Sequence, residues 1–242
     1  MKIQKQTIDS ELLKKNVLEI LEICHEESFH EIEKSYTDTF NPAYVLCKLP
    51  ETETLTVQML EDAGFRFIET QFKVEIPLDG SFSGHAYFPY KCKEATEQTD
   101  LDAILELVHE NFEENRLSID HRIPEGFATE RYKRFLQKSF QSSDESLFMM
   151  YHDQSGEIVG FNSHQLISNR EARIFLGGLK QKYQKQLSGI NYLFHFEQLQ
   201  TLGVRIAHTY ISGKSYHEMN YEINVPGSRV VESRIVLRKW YE

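Results

Sequence analysis

The chain has 242 residues, of which 40% are hydrophobic and 26% charged, and it carries a formal net charge of −10. These values describe a globular protein of one large or two modest domains and exclude disorder, collagen-like repeats and a fibrous coiled coil. The acidity is uneven, −7 over residues 1–91 and −3 over 92–242. There is then no broad basic surface for nucleic acid or anionic lipid, and any anionic ligand must be met by local groups.

The first residues, Met-Lys-Ile-Gln-Lys-Gln, run into a charged helical pattern without the apolar core of a signal peptide. No stretch approaches the ~20 apolar residues that cross a membrane. Cys24, Cys47 and Cys92 are odd in number and widely spaced, which reads as reduced thiols and a cytoplasmic protein.

In chain order, Asp9 or Ser10 caps a predicted helix whose stripe is Leu12, Leu13, Val17, Ile20, Leu21 and Cys24. A short strand spans 43–48, and a second helix carries Leu55 and Leu60 and stops at Gly64. Residues 65–78 alternate as a half-buried strand through Phe72, Val74, Ile76 and Leu78. The Gly/Ser/Pro-rich stretch 77–89 is the best boundary, so the expected divide is an N-terminal α/β half-domain, 1–91, and a second domain, 92–242.

In the second part, Leu101, Ile104, Leu105, Val108 and Phe112 form one helical stripe after Thr99 and Asp100. Tyr132, Phe135, Leu136 and Phe140 form another. Strands over 146–152 and 157–167 flank the hairpin signal Asp153-Gln-Ser-Gly156, and a third covers 172–179. A loop, a helix from about Gly189 to Leu202, a strand over 204–212, a short polar helix and a last strand over 230–240 complete an α/β pattern around a mixed sheet.

One junction concentrates chemistry. Gly177 and Gly178 lie inside an otherwise good strand, where glycine marks a bulge or a close backbone approach by a ligand. Lys180, Lys182 and Lys185 follow, and Ser188-Gly189 then opens a helix whose free N–H groups suit a phosphate. Bulged strand, basic loop and helix start together describe an anion cradle beside exposed main chain; an ordinary solvated loop with a serine cap describes the same residues equally well. The ten histidines form no HxH or HExxH, no two cysteines are close, and no GxSxG, Walker loop or GxGxxG occurs. No metal site is expected. The aromatic content, 12%, reads as core.

Four stretches resemble the GNAT superfamily of acyl-CoA-dependent N-acyltransferases, in particular its sugar-nucleotide branch of the TDP-fucosamine acetyltransferase type. They are Leu60 to Thr70 with its Gly-Phe-Arg-Phe-Ile-Glu-Thr run, Asn115 to Pro124 followed by Tyr132, Glu157 to Asn162, and Ser228 to Trp240. Together they cover nearly the whole chain in the family's order. The family's pyrophosphate loop, Gln/Arg-x-x-Gly-x-Gly/Ala, is met by Gln184-Lys-Gln-Leu-Ser-Gly189, with Leu187 in place of the first glycine.

The resemblance implies a GNAT fold, a mixed central sheet with flanking helices plus the smaller N-terminal half-domain, which would shape the acceptor cleft. It implies coenzyme A lying along Leu176, Gly177, Gly178 and Leu179, with a backbone N–H at the glycine pair, assigned to Gly178, facing the thioester oxyanion. The pyrophosphate would rest on the N–H groups of Lys185, Gln186, Leu187, Ser188, Gly189, Ile190 and Asn191. Tyr221, with Tyr216 in reserve, would protonate the departing thiolate. Arg116, Asp120 and His121 would line the acceptor side, and His164 would relay a proton or serve as a structural histidine. The implied reaction transfers an acetyl or 3-hydroxybutyryl group to the amine of a dTDP-linked amino-deoxy sugar for polysaccharide synthesis, in a homodimer that binds neither nucleic acid nor membrane. Two alternatives stay open, a GNAT-like module that binds without turnover and an acyltransferase of a peptide or small amine.

Overall fold

A computed structural model describes residues 2–23, 28–80, 82, 89–111, 117 and 120–241. In chain order the described elements are β1 (Lys2–Lys5), α1 (Thr7–Leu13), β2 (Val17–Glu22), α2 (Phe29–Phe40), β3 (Tyr44–Pro50), α3 (Thr54–Asp62), β4 (Arg66–Pro77) and β5 (Tyr90–Glu94). They continue with α4 (Gln98–Asn111), α5 (Phe127–Gln141), β6 (Glu145–His152), β7 (Ile158–Leu166), β8 (Glu171–Leu179), α6 (Gln184–Thr201), β9 (Ile206–Ser212), α7 (Tyr216–Ile223) and β10 (Arg229–Trp240). A short 3₁₀ turn, Gln181–Tyr183, leads into α6.

The chain forms two compact units. The first comprises residues 1–72, 211–215 and 231–242, and the second residues 73–210 and 216–230. A single cut near residue 91 does not follow this division, because β4 leaves the first unit partway along and the chain returns to that unit for β10.

In the first unit the strand order is β1-β2-β3-β10-β4. β1 and β2 are antiparallel, β2 and β3 parallel, and β3 and β10 antiparallel. Its core gathers Leu18, Ile20, Phe29, Tyr36, Leu60 and Phe65. The long helix expected from Asp9 to Cys24 is not formed. α1 ends where Lys14 turns left-handed, at φ 52° and ψ 34°, and Val17–Glu22 becomes a strand instead. Its apolar run can bury Val17, Leu18 and Ile20 while pairing with β1 and β3, a tertiary gain that overrides the helical spacing. Ser10 holds this corner by accepting the Val17 N–H at 3.0 Å. β1 and α2 had no expectation, and Cys24 lies outside the described residues. Gly64, at φ +88°, closes α3 as expected.

In the second unit the order is β4-β9-β8-β7-β6-β5. β5 through β8 are antiparallel neighbours, and β8 and β9 are parallel. α4 and α5 pack Leu101, Ile104, Leu107 and Leu136 on the sheet residues Leu147, Met149 and Phe161. α4 starts at Gln98, earlier than expected, so Thr99 and Asp100 lie within its first turn; from there Asp100 reaches back to accept the backbone N–H groups of Thr96 and Glu97 at 3.2 and 3.4 Å, and its carboxylate binds Lys93 at 3.0 Å. Phe112 and most of the 77–89 stretch lie outside the described residues. Among the described residues no helix is long and apolar enough to cross a membrane.

Candidate functional site at the parting of β8 and β9

β8 and β9 pair in parallel over Glu171–Arg173 and Ile206–His208 only. Beyond Arg173, β8 continues to Leu179 with β7 on one side and the edge toward β9 no longer laddered. The bulge in β8 comes before the two glycines. Asn162 pairs with Gly177 and His164 with Ile174, so Ser163 alone opposes Phe175 and Leu176. The Ser163 hydroxyl fills the irregularity, accepting the Leu176 N–H at 3.0 Å and donating to the Leu176 carbonyl at 3.1 Å.

The glycine pair answers to the protein's own side chains. A Cβ on Gly177 would lie 2.6 Å from Asn162 Oδ1, and one on Gly178 would lie 2.8 Å from both Asn111 Cγ and Phe161 Cε1. Direction along the strand also matters. Gly178 pairs with Phe161, and the Lys180 N–H donates to the Val159 carbonyl at 2.9 Å. N–H groups alternate along a strand, so Gly178 points its N–H at β7. Gly177 and Leu179 therefore face the open edge, whereas Gly178, the residue expected to turn its N–H toward a ligand, faces β7 instead. The Leu179 N–H donates to Asn111 Oδ1 at 2.9 Å, and Gln184 Nε2 spans Asn111 Oδ1 and the Leu179 carbonyl at 3.3 and 3.4 Å.

The expected phosphate cradle is rearranged. α6 begins at Gln184, one turn earlier than expected. Ser188, Gly189, Ile190 and Asn191 therefore sit inside the helix, where their N–H groups close intrahelical bonds. Of the first-turn N–H groups, that of Gln184 donates to the Gln181 carbonyl and closes the 3₁₀ turn, and those of Lys185 and Gln186 follow it. Leu187 is 5% exposed and packs with Met150, Val159, Leu179 and Phe194, so a leucine in the motif's glycine position serves the core. Lys180 and Lys182 both bind Glu157 Oε1 at 2.9 Å, and the Tyr183 hydroxyl donates to Oε2 at 3.1 Å. Hydrogen bonds from Lys182 and then Lys180 hold the Glu157 carboxyl down at about 2. Lys185 is exposed.

Behind the open edge, β7 and α6 share a buried polar layer. Asn162 donates to the Asn191 carbonyl and Oδ1 at 3.2 and 2.9 Å, and Asn191 donates to the Phe161 carbonyl at 3.3 Å. One turn along, His164 Nδ1 and His195 Nε2 are 3.2 Å apart. His164 stacks on Phe148 with ring centroids 5.5 Å apart. Burial lowers the His164 imidazole to about 4 and drives His195 well below the usual histidine range. Burial therefore favours the neutral form of both imidazoles, and of the two expectations for His164 this layer suits the structural histidine better than the relay. Asn191 and His195, four residues apart on α6, were legible as one helix face, but nothing in the sequence showed that this face meets Asn162 and His164.

Tyr221 stands on α7. Its hydroxyl donates to the Gly189 carbonyl at 2.8 Å, and its ring stacks on Tyr192 with centroids 4.8 Å apart at 21°. Next to it, Glu222 is fully buried and Glu218 accepts the Tyr192 hydroxyl at 3.1 Å; neither glutamate was expected in the site. Tyr216 is 72% exposed. Asp120 is buried, and its Oδ1 accepts the Arg122 N–H at 3.2 Å, a local turn; His121 is exposed. Arg116 lies outside the described residues.

No protein-family profile matches the sequence, and neither does any curated protein. Solved structures do match its fold. A conserved protein of unknown function from Staphylococcus epidermidis is 12% identical, covering 97% of this chain and 89% of its own, at a TM-score of 0.68. A tandem GNAT protein from the clavulanic acid biosynthesis pathway is 10% identical, covering 93% and 75%, at 0.65. A GCN5-related N-acetyltransferase from Sphaerobacter thermophilus is 15% identical, covering 93% and 72%, at 0.63. The mixed sheet with its parted parallel pair and flanking helices is the GNAT fold.

Proposed function

We propose that this chain is an acyl-CoA-dependent N-acyltransferase. The observation that carries the reading is the parting of β8 from β9 after Arg173 and His208, which leaves main-chain groups of β8 without a strand partner. An extended ligand bearing amides gains there the hydrogen bonds that β9 no longer offers, and the pantetheine arm of coenzyme A is such a ligand. Coenzyme A supplies an acyl group activated as a thioester. The Gly177 N–H, facing that edge, is the donor placed for a carbonyl oxygen that becomes an oxyanion, a role worth about 3–4 kcal/mol in comparable sites. The first turn of α6 and the exposed Lys185 suit the phosphate end. An amine must arrive or become neutral to attack, and Tyr221 is the proposed proton source for the thiolate that leaves.

For the acceptor we propose the amine of a dTDP-linked amino-deoxy sugar, supported by the resemblance of Asn115 to Pro124 and Tyr132 to the sugar-nucleotide branch. The acyl group is acetyl or 3-hydroxybutyryl, and the enzyme acts as a cytoplasmic homodimer. Acylation of a peptide or small amine is the nearest alternative.

A second reading, a GNAT-fold module that binds ligand without turnover, is favoured by a specific observation. Leu187 is committed to the core, and Lys180 and Lys182 are held by Glu157. Thermal unfolding with coenzyme A, acetyl-CoA and 3-hydroxybutyryl-CoA, each with and without dTDP, tests these readings. Native-state ligands raise the midpoint by mass action. A rise with acyl-CoA, followed by thiol release once an amino-sugar nucleotide is added, supports the enzyme. A rise without thiol release on any amine supports the module. No rise at millimolar coenzyme A overturns both.

A further inference from the structure

α7 carries two glutamates on one face, Glu218 and Glu222, four residues apart. Glu222 is 0% exposed, and neither of its carboxyl oxygens makes a hydrogen bond of good geometry; the Tyr192 hydroxyl, which donates to Glu218, is the polar group that acts on it from α6. Glu218 is half-buried, so it forms the side of the pair that meets solvent, and it accepts the Tyr192 hydroxyl from α6. Tyr192 and Tyr221, stacked on each other, stand beside the pair as an aromatic wall. Among the described residues no basic side chain is paired with either glutamate.

A carboxyl buried beside a second carboxyl, with no basic group paired to it, is unfavourable in general, so a structural role alone is a poor account of Glu222. Acid oxygens beside aromatic rings are the surroundings that recognise an alkylammonium group, through charge-assisted hydrogen bonds and cation–π contact. A hard metal cation fits less well, since calcium takes about 6–8 oxygen ligands and magnesium about six. We infer that Glu218 and Glu222, with Tyr192 and Tyr221, form a binding site for a primary alkylammonium group. As the acceptor site this inference rests on the acyltransferase reading, and it places the reacting amine on the α6–α7 side of the second unit; the binding itself does not depend on that reading.

The groups acting on Glu222 are Glu218 on its own helix and Tyr192 from α6. Burial, and after it the nearby Glu218, push its carboxyl up to about 9, and burial raises Glu218 as well. The upward shift predicts a protonated Glu222 in the free chain at pH 7.5, which calorimetric titration reads directly. A cation bound beside it favours the carboxylate, so the proton leaves to the buffer while the ligand keeps its own.

The test is calorimetric titration of the full chain at pH 7.5 with n-butylamine and with 1,4-diaminobutane, in phosphate and in HEPES, with n-butanol as the uncharged control. The expected result is saturable binding of an amine but not of the alcohol. The buffer dependence of the heat should report release approaching one proton per amine. Glu222→Gln, which copies the neutral acid, should abolish the release and weaken the amine at least tenfold, with its unfolding midpoint and coenzyme A shift unchanged. Should that variant fold poorly, Glu218→Gln at the solvent side should give the same tenfold loss. No saturable binding of either amine at tens of millimolar, binding without proton release, or binding equally strong in the variants overturns the inference. Loss of the amine site with coenzyme A binding intact refutes this inference alone; absent coenzyme A binding with the amine site intact refutes the acyltransferase reading alone.

Discussion

Replacing Gly177 by alanine separates the protein's need for this glycine from a ligand's. The added Cβ would lie 2.6 Å from Asn162 Oδ1 and 3.5 Å from the Phe161 carbonyl. Asn162 is 2% exposed and locked to Asn191 by paired amide hydrogen bonds, so it cannot swing aside without breaking them. Overpacking of this kind costs ~1–3 kcal/mol, and a buried amide hydrogen bond contributes about 1 kcal/mol. A loss of about 2–3 kcal/mol is expected. For a chain of this size that corresponds to a midpoint lowered by roughly 4–12 °C. Urea unfolding should show the loss with an unchanged slope. Combining Gly177→Ala with Asn162→Ala should cost less than the sum of the two, with a coupling of about 1–2 kcal/mol. A Gly177→Ala variant within 0.5 kcal/mol of the parent, or strict additivity in the double variant, would refute the packing argument and return the glycine to a ligand.

Tyr221→Phe should remove the hydrogen bond to the Gly189 carbonyl, costing about 1 kcal/mol of stability. In turnover assays it should slow acyl transfer at least tenfold while leaving coenzyme A affinity alone; an unchanged rate removes Tyr221 from the reaction. Lys185→Glu should weaken coenzyme A more than the acceptor in calorimetry, and Glu157→Gln, which releases Lys180 and Lys182, should tighten it in a salt-dependent way; no change in either would place the phosphates elsewhere. His164 sets a pH dependence. Its folded value, about 4, lies below the ~6.5 of an unfolded histidine, so the unfolded chain binds the extra proton between these limits. Stability should therefore fall as pH drops from 6.5 to 4, by on the order of 3 kcal/mol from this group. His164→Gln should flatten that part of a stability–pH curve, and an unaltered slope would contradict the assignment.

Most elements of the second unit were legible because their apolar spacings are clean and their ends are marked, as at Asp100 and Gly156. The stripe from Leu12 to Leu21 misled because short apolar runs satisfy helical and extended spacing alike; long-range pairing with β1 and β3 decided it, and Lys14 carries no glycine signal for the left-handed turn. The site was legible as a place, strand to α6, but not in its wiring. The sequence does not reveal which way the Gly178 N–H points, nor that Lys180 and Lys182 face Glu157 from across a hairpin. Glu218 and Glu222 left a faint signal, acids at i and i+4 in a helix with a tyrosine beside each turn, which also describes a solvated face.

The most direct test of the central claim is residue-resolved amide hydrogen exchange across β8 with and without coenzyme A. If the ligand lies along the open edge, the Gly177 N–H should gain strong protection on binding while Gly178, already turned toward β7, changes little. Coenzyme A that binds without slowing exchange at Gly177 would contradict the account.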